Sequence, residues 1–82
     1  YEGEYKDNKM HGKGTFNWPN GDVYVGEYRN DYCNGQGIFT WSNGNVYIGE
    51  YKDDIRQGLG SLFDINGNKF VGLWENGEFL GE

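Results

Sequence analysis

Residues 24–41 read YVGEYRNDYCNGQGIFTW, a stretch in which aromatic residues and glycines are set at regular intervals. Glycine weakens a strand and aromatics favour one, so a segment that uses both needs a physical reason. The same outline is present in YEGEYKDNKMHGKGTFNW at 1–18 and in YIGEYKDDIRQGLGSLFD at 47–64. The stretch is therefore one copy of a repeat.

The period is 23 residues, the step from Tyr1 to Tyr24 to Tyr47, with Phe70 opening a fourth unit. Two residues later come Gly3, Gly26, Gly49 and Gly72, and two later again Tyr5, Tyr28, Tyr51 and Trp74. Gly12, Gly35, Gly58 and Gly81 follow, then Gly14, Gly37 and Gly60, then Phe16, Phe39 and Leu62, then Trp18, Trp41 and Asp64. Each complete unit closes on Asn-Gly. Fourteen of the fifteen glycines fall at four repeat positions, so glycine is placed by architecture and not by composition. The chain reads as one domain, 1–82, made of repeats 1–23, 24–46 and 47–69 and a partial repeat 70–82.

Within a unit the marked residues alternate, as Tyr-x-Gly-x-Tyr and then Gly-x-Gly-x-Phe-x-Trp, and a period of two belongs to a strand. About six polar residues, such as those around Lys6-Asp7-Asn8-Lys9, separate the two strands, and Asn-Gly is a strong hairpin-turn signal. The expected fold is all-β: an elongated, single-layer antiparallel meander of repeated hairpins. About seven strands at about 4.8 Å spacing would extend it ~34 Å. Side chains two apart share a face, so rings of one strand should lie over glycines of the next. Gly3, Gly26, Gly49, Gly72, Gly14, Gly37 and Gly60 are the structural positions on this reading. The opposite face carries Glu4, Glu27 and Glu50 beside Val25, Ile48 and Val71 and should be wetter.

The composition narrows the function. The 82 residues carry 18% aromatics within 35% hydrophobic content, so rings must supply most of the buried surface. One cysteine, Cys33, and one histidine, His11, provide neither an internal disulfide nor a zinc site. No apolar run reaches the length of a signal peptide or a membrane span. Tyr1 stands where an initiating methionine would, as expected of a segment of something longer. Thirteen acids against seven bases give a net charge of −6, with the bases scattered among carboxylates, which argues against nucleic acid and disfavours anionic lipid.

The pattern Y-x-G-x-[YW]-x6-G-x-G-x-F-x-W-x-N-G resembles the MORN (membrane occupation and recognition nexus) repeat over the whole chain. The resemblance implies a curved aromatic groove serving as a scaffold, a dimerisation element or a protein-binding surface. It implies a cytoplasmic setting, including the cytoplasmic face of a membrane or the cytoskeleton. The alternative it carries is a phosphoinositide-binding or regulatory module of a larger protein such as a phosphatidylinositol phosphate kinase. Arg56, Asp64 and Leu73 depart from the pattern and are read as marks of a cap.

No catalytic arrangement is present: His11 has no nucleophile and orienting acid at a recognisable spacing, and Gly35-Gln36-Gly37 lies in an expected strand with no helix after it. Asp7-Asn8, Asn30-Asp31 and Asp53-Asp54 lack the spaced ligand series of a calcium loop and read as turn formers. His11 and Cys33 are assigned to the polar connections, His11 solvated and Cys33 unreactive. The expectation is a non-catalytic interaction module without metal or cofactor. It binds a protein or peptide, or a second copy as a homodimer, through Phe16, Trp18, Phe39, Trp41, Tyr28 and Tyr51. Tyr1, Tyr24 and Tyr47 are the more structural rings. A choline- or carbohydrate-binding repeat fits less well, because such repeats cluster adjacent aromatics and here the rings are spaced by two.

Overall fold

The computed structural model describes residues 1–81. They form one antiparallel sheet in which each strand pairs with its sequence neighbours: β1 (Glu2–Lys6), β2 (Lys9–Asn17), β3 (Val23–Arg29), β4 (Tyr32–Thr40), β5 (Val46–Lys52), β6 (Ile55–Phe63), β7 (Lys69–Glu75) and β8 (Glu78–Gly81). The layer measures 39 × 25 × 15 Å. Eight strands replace the expected seven because the partial fourth repeat supplies a hairpin, β7 and β8, and not a single last strand.

The six-residue connections expected inside each repeat are not there. Asp7-Asn8, Asn30-Asp31, Asp53-Asp54 and Asn76-Gly77 alone join the strands, and their φ angles run from 48° to 80°. Two successive positive-φ residues make the two-residue hairpin turn whose twist matches the flanking strands. Asn and Asp enter the left-handed region more readily than other L residues. His11 and Cys33 consequently lie in β2 and β4, not in loops: His11 is half-buried and Cys33 buried.

The connections between repeats are wider. Trp18 O accepts the N–H of Gly21 at 3.1 Å, and the Trp18 N–H donates to Asp22 O at 3.0 Å. Pro19 fits the second position of that turn, where φ near −65° is wanted. The same pattern recurs at Trp41–Gly44–Asn45 and Asp64–Gly67–Asn68.

Pairing between repeats is regular, but within each of the three full repeats the register shifts, at Gly3/Tyr5, Gly26/Tyr28 and Gly49/Tyr51. In the second repeat Gly26 pairs with Gly37 and Tyr28 with Cys33, so Glu27 alone faces Asn34, Gly35 and Gln36. Such bulges bend and twist a sheet.

The glycines admit the rings, as expected. Tyr24 folds back across the Gly26–Gly37 pair, and its hydroxyl donates to Glu27 O at 2.9 Å. A Cβ on Gly37 would strike the Tyr24 hydroxyl, Cε1 and Cζ, and one on Gly26 would stand 2.6 Å from Gly37 Cα. Tyr1 over Gly3 and Gly14, and Tyr47 over Gly49 and Gly60, repeat the arrangement. Gly72 continues the series opposite Gly60.

Candidate functional site

A single layer has no second layer to cover its rings, and the rings cover one another. Tyr24 packs edge-on against Tyr28 at 5.2 Å and against Tyr51 of the next repeat at 5.4 Å. Tyr47 does the same with Tyr51 and with Trp74, both at 5.3 Å. Tyr1 joins from the other side through Tyr28 at 5.1 Å. This continuous ladder buries Tyr24 and Tyr47 completely and leaves Tyr28 and Tyr51 only 5% and 8% exposed. Edge-to-face pairs contribute about 0.5–1.5 kcal/mol beyond the area they bury.

A second ladder runs beside the first. Phe16, Trp18, Phe39 and Trp41 follow one another at centroid distances of 4.6, 5.3 and 4.7 Å, and all four are half-buried. They wall a groove of about 610 Å³ whose floor is Tyr28, Cys33 and Tyr51. The six residues expected to meet a partner therefore come together in one groove. They are not equivalent there: the Phe and Trp rings are half-buried, while Tyr28 and Tyr51 are 5% and 8% exposed.

The ring ladder stops at Trp41 because Leu62 and Asp64 replace Phe and Trp in the third repeat. Asp64 instead caps its own turn, accepting the N–H groups of Asn66 and Asn68 at 2.9 and 3.0 Å. Arg56 lies beside the last ring of the ladder. Its guanidinium carbon lies 5.6 Å from the Trp41 ring, 5.7 Å from Tyr47 and 5.2 Å from Trp74. One Nη donates to Gly77 O at 2.7 Å, and the Nε–H is buried with no hydrogen-bond partner among the described residues. Arg56 occupies the repeat position of Met10 and Cys33, so the groove floor runs apolar, apolar, cationic along the array.

Carboxylates on this face serve the backbone. Asp31 Oδ1 accepts the Met10 N–H and Asp54 Oδ1 the Cys33 N–H, each at 2.7 Å and each joining one repeat to the next. Burial pushes the Cys33 thiol up to about 12, with the charge of Asp54 adding to it. Tyr24, Tyr28 and Tyr51 are likewise raised well above the usual phenol value, chiefly by burial. The thiol is thus held protonated and poorly nucleophilic.

The opposite face holds a shallower depression of about 740 Å³ over the glycine rows. A cross-strand row, Val25–Ile38–Ile48, borders it, and these three are 46%, 42% and 45% exposed. Glu4, Glu27 and Glu50 on this face are clamps and not free surface charges: they accept the N–H groups of Lys13, Gln36 and Leu59 at 2.7, 2.6 and 2.6 Å. That role escaped the sequence reading, although the recurrence of Glu one residue after each bulge glycine was a usable signal. Leu73 holds the corresponding position in the last repeat and is 48% exposed. Among the described residues no group of three or more His, Cys, Asp or Glu side chains is arranged to hold a metal ion.

Comparison with known proteins gives one result for the family. The model of the MORN repeat matches residues 1–23, 24–46 and 47–69, the three complete units. No curated protein matches the chain significantly.

Proposed function

The chain belongs to the MORN repeat family, a non-catalytic module that generally mediates protein or membrane interaction, and from that premise we propose that it binds a peptide segment of a partner protein in the aromatic groove. The observation that carries this reading is the half-buried run Phe16–Trp18–Phe39–Trp41 along an open cavity. The first ladder needs its rings for the core, since a single layer has nothing else to bury them. The second ladder is left half-buried along a groove of about 610 Å³. Interface energy concentrates in such Trp and Tyr residues, where truncating a central ring often costs about 2 kcal/mol or more, roughly thirtyfold in affinity.

A displayed library of random decapeptides selected on the folded chain supplies the probe. Trp18→Ala and Trp41→Ala should each weaken the selected peptides by about thirtyfold while the far-UV strand signal persists. Retained affinity in both variants, with loss in Ile48→Asp, would move the site to the opposite face and overturn the reading. Sedimentation of the same variants tests the second-copy alternative: a dimer abolished by Trp18→Ala, with no peptide selected, would replace a peptide occupant by the chain itself.

A further inference from the structure

We propose that Arg56 is the anion-recognising anchor of this groove, and that the groove takes a peptide with an aspartate or glutamate about one repeat, roughly 10 Å, from an apolar side chain lying against the Trp18–Phe39 end of the ring row. The inference rests on the docking reading and adds the chemistry of the occupant. Arg56 lines the groove, its one hydrogen bond runs from an Nη to the Gly77 carbonyl, and its buried Nε–H has no acceptor among the described residues, so the guanidinium is under-satisfied within the chain. Its guanidinium is already oriented by three rings and by the Gly77 carbonyl, so little side-chain freedom is left to lose when a carboxylate arrives. A planar guanidinium suits a carboxylate through parallel N–H donors, and an apolar surround strengthens the pair.

The repeat supplies no carboxylate from the following turn to this cation. Asp31 and Asp54 each face the residue at the Met10 or Cys33 position, one repeat back. The corresponding residue facing Arg56 is Gly77, which brings a carbonyl and no carboxylate. The array thus substitutes a cation and removes the acid beside it in the same pair of positions. The cation stands where the other repeats carry a neutral side chain, with no carboxylate from the following turn beside it, and an acid supplied by a partner gives it a counter-charge.

Charge also selects among anions. The chain carries a net charge of −6, and Asp31 and Asp54 line the same groove. A polyanionic lipid surface meets repulsion from these groups, whereas one carboxylate meets one cation. The acidic residue belongs at the Arg56 end and the apolar one at the Trp18 end, which fixes the direction in which the peptide lies.

The test uses the decapeptides selected on the folded chain, resynthesised with each Asp or Glu replaced by its amide. The acidic peptides should bind at least tenfold more tightly than the amides to the parent chain. Arg56→Met, which installs the side chain found at Met10, should narrow that ratio to less than twofold, and Arg56→Lys should keep part of it. The Arg56 Nε–H resonance of the parent chain, told apart from that of Arg29 by its absence in Arg56→Met, should shift with the acidic peptide and not with its amide. Selected peptides that lack acids, or an acid-to-amide ratio unchanged by Arg56→Met, would overturn the proposal while leaving Trp-dependent docking intact. Capture of vesicles of phosphatidylcholine with one-fifth phosphatidylserine by the parent chain, lost in Arg56→Met, would overturn it in favour of a lipid phosphate. Peptides insensitive to Trp18→Ala and Trp41→Ala would instead bring down the docking reading itself.

Discussion

Glu27 Oε2 accepts the backbone N–H of Gln36 at 2.6 Å, across the bulge that breaks the register between β3 and β4. The bulge leaves Asn34, Gly35 and Gln36 opposite one residue, and the carboxylate takes up a donor that the ladder no longer pairs. Removing it should cost stability without touching the groove. We expect Glu27→Ala to lose about 1 to 2 kcal/mol and Glu27→Gln about half as much, because a neutral amide oxygen still accepts. Urea titrations of the two variants check the order, and equal stability of all three proteins would mean that the bulge holds itself.

The contact between Tyr47 and its glycines sets a second expectation. A Cβ on Gly49 would lie 2.5 Å from Gly60 Cα and 2.7 Å from Leu59 O, both backbone atoms that have nowhere to go. Gly49→Val should therefore cost about 3 kcal/mol or more and leave the chain largely unfolded. Gly67 offers a control, since nothing lies within 4 Å of an added Cβ and only its φ of 86° resists. Gly67→Ala should cost about 1 to 2 kcal/mol. Thermal unfolding should rank the two in that order.

The aromatic rows and the glycines beneath the tyrosines were legible in the sequence because both obey short periods. Tyr24, Gly26 and Tyr28 share one face by their spacing of two, and the 23-residue step brings Phe39 beside Trp18 without knowledge of any contact. What stayed hidden depends on single dihedral angles or on reach across repeats. Asn30-Asp31 looks like part of a polar loop, yet two left-handed residues suffice to reverse the chain, and this draws Cys33 into a strand and into the core. The near-complete burial of Tyr28 and Tyr51 arises from Tyr1 and Tyr24, rings one repeat earlier, so no pattern inside one unit reveals it. Arg56 reads as a departure from the repeat, and only its place among Trp41, Tyr47 and Trp74 gives it a role.

The two-residue turns separate two effects that sequence alone would merge. Asp53 and Asp54 both have positive φ, 48° and 71°, but only Asp54 also accepts the Cys33 N–H, at 2.7 Å. Asp53 has no more than a long contact from the Asn34 amide, at 3.5 Å. Asp54→Ala should thus destabilise by about 1 kcal/mol more than Asp53→Ala. Asp54→Gly should fall between them, since glycine removes the backbone conflict and not the missing acceptor. Chemical denaturation of the three variants decides it, and the claim fails if Asp53→Ala proves the more damaging change.

Alkali should unfold the protein through the groove floor. Cys33 ionises ordinarily at 9.0 and is pushed up to about 12 here, first by burial, while Tyr24, Tyr28 and Tyr51 are raised from 10.0, also first by burial. All four groups are neutral when protonated, and the unfolded chain gives up these protons at lower pH than the folded one. Their contribution to stability is therefore complete below about pH 9 and declines as pH rises from there through about 12. The urea midpoint should hold steady from pH 7 to 8.5 and then fall, and Cys33→Ala should delay the onset of the fall toward pH 10, where the tyrosines take over. A thiol reagent at pH 8 should label Cys33 only as fast as the chain opens, with urea accelerating the reaction in step with unfolding. Rapid labelling of the folded protein at that pH would contradict the sealed floor on which the alkaline instability depends, since a thiol open to reagent is open to water and has no reason to hold its proton.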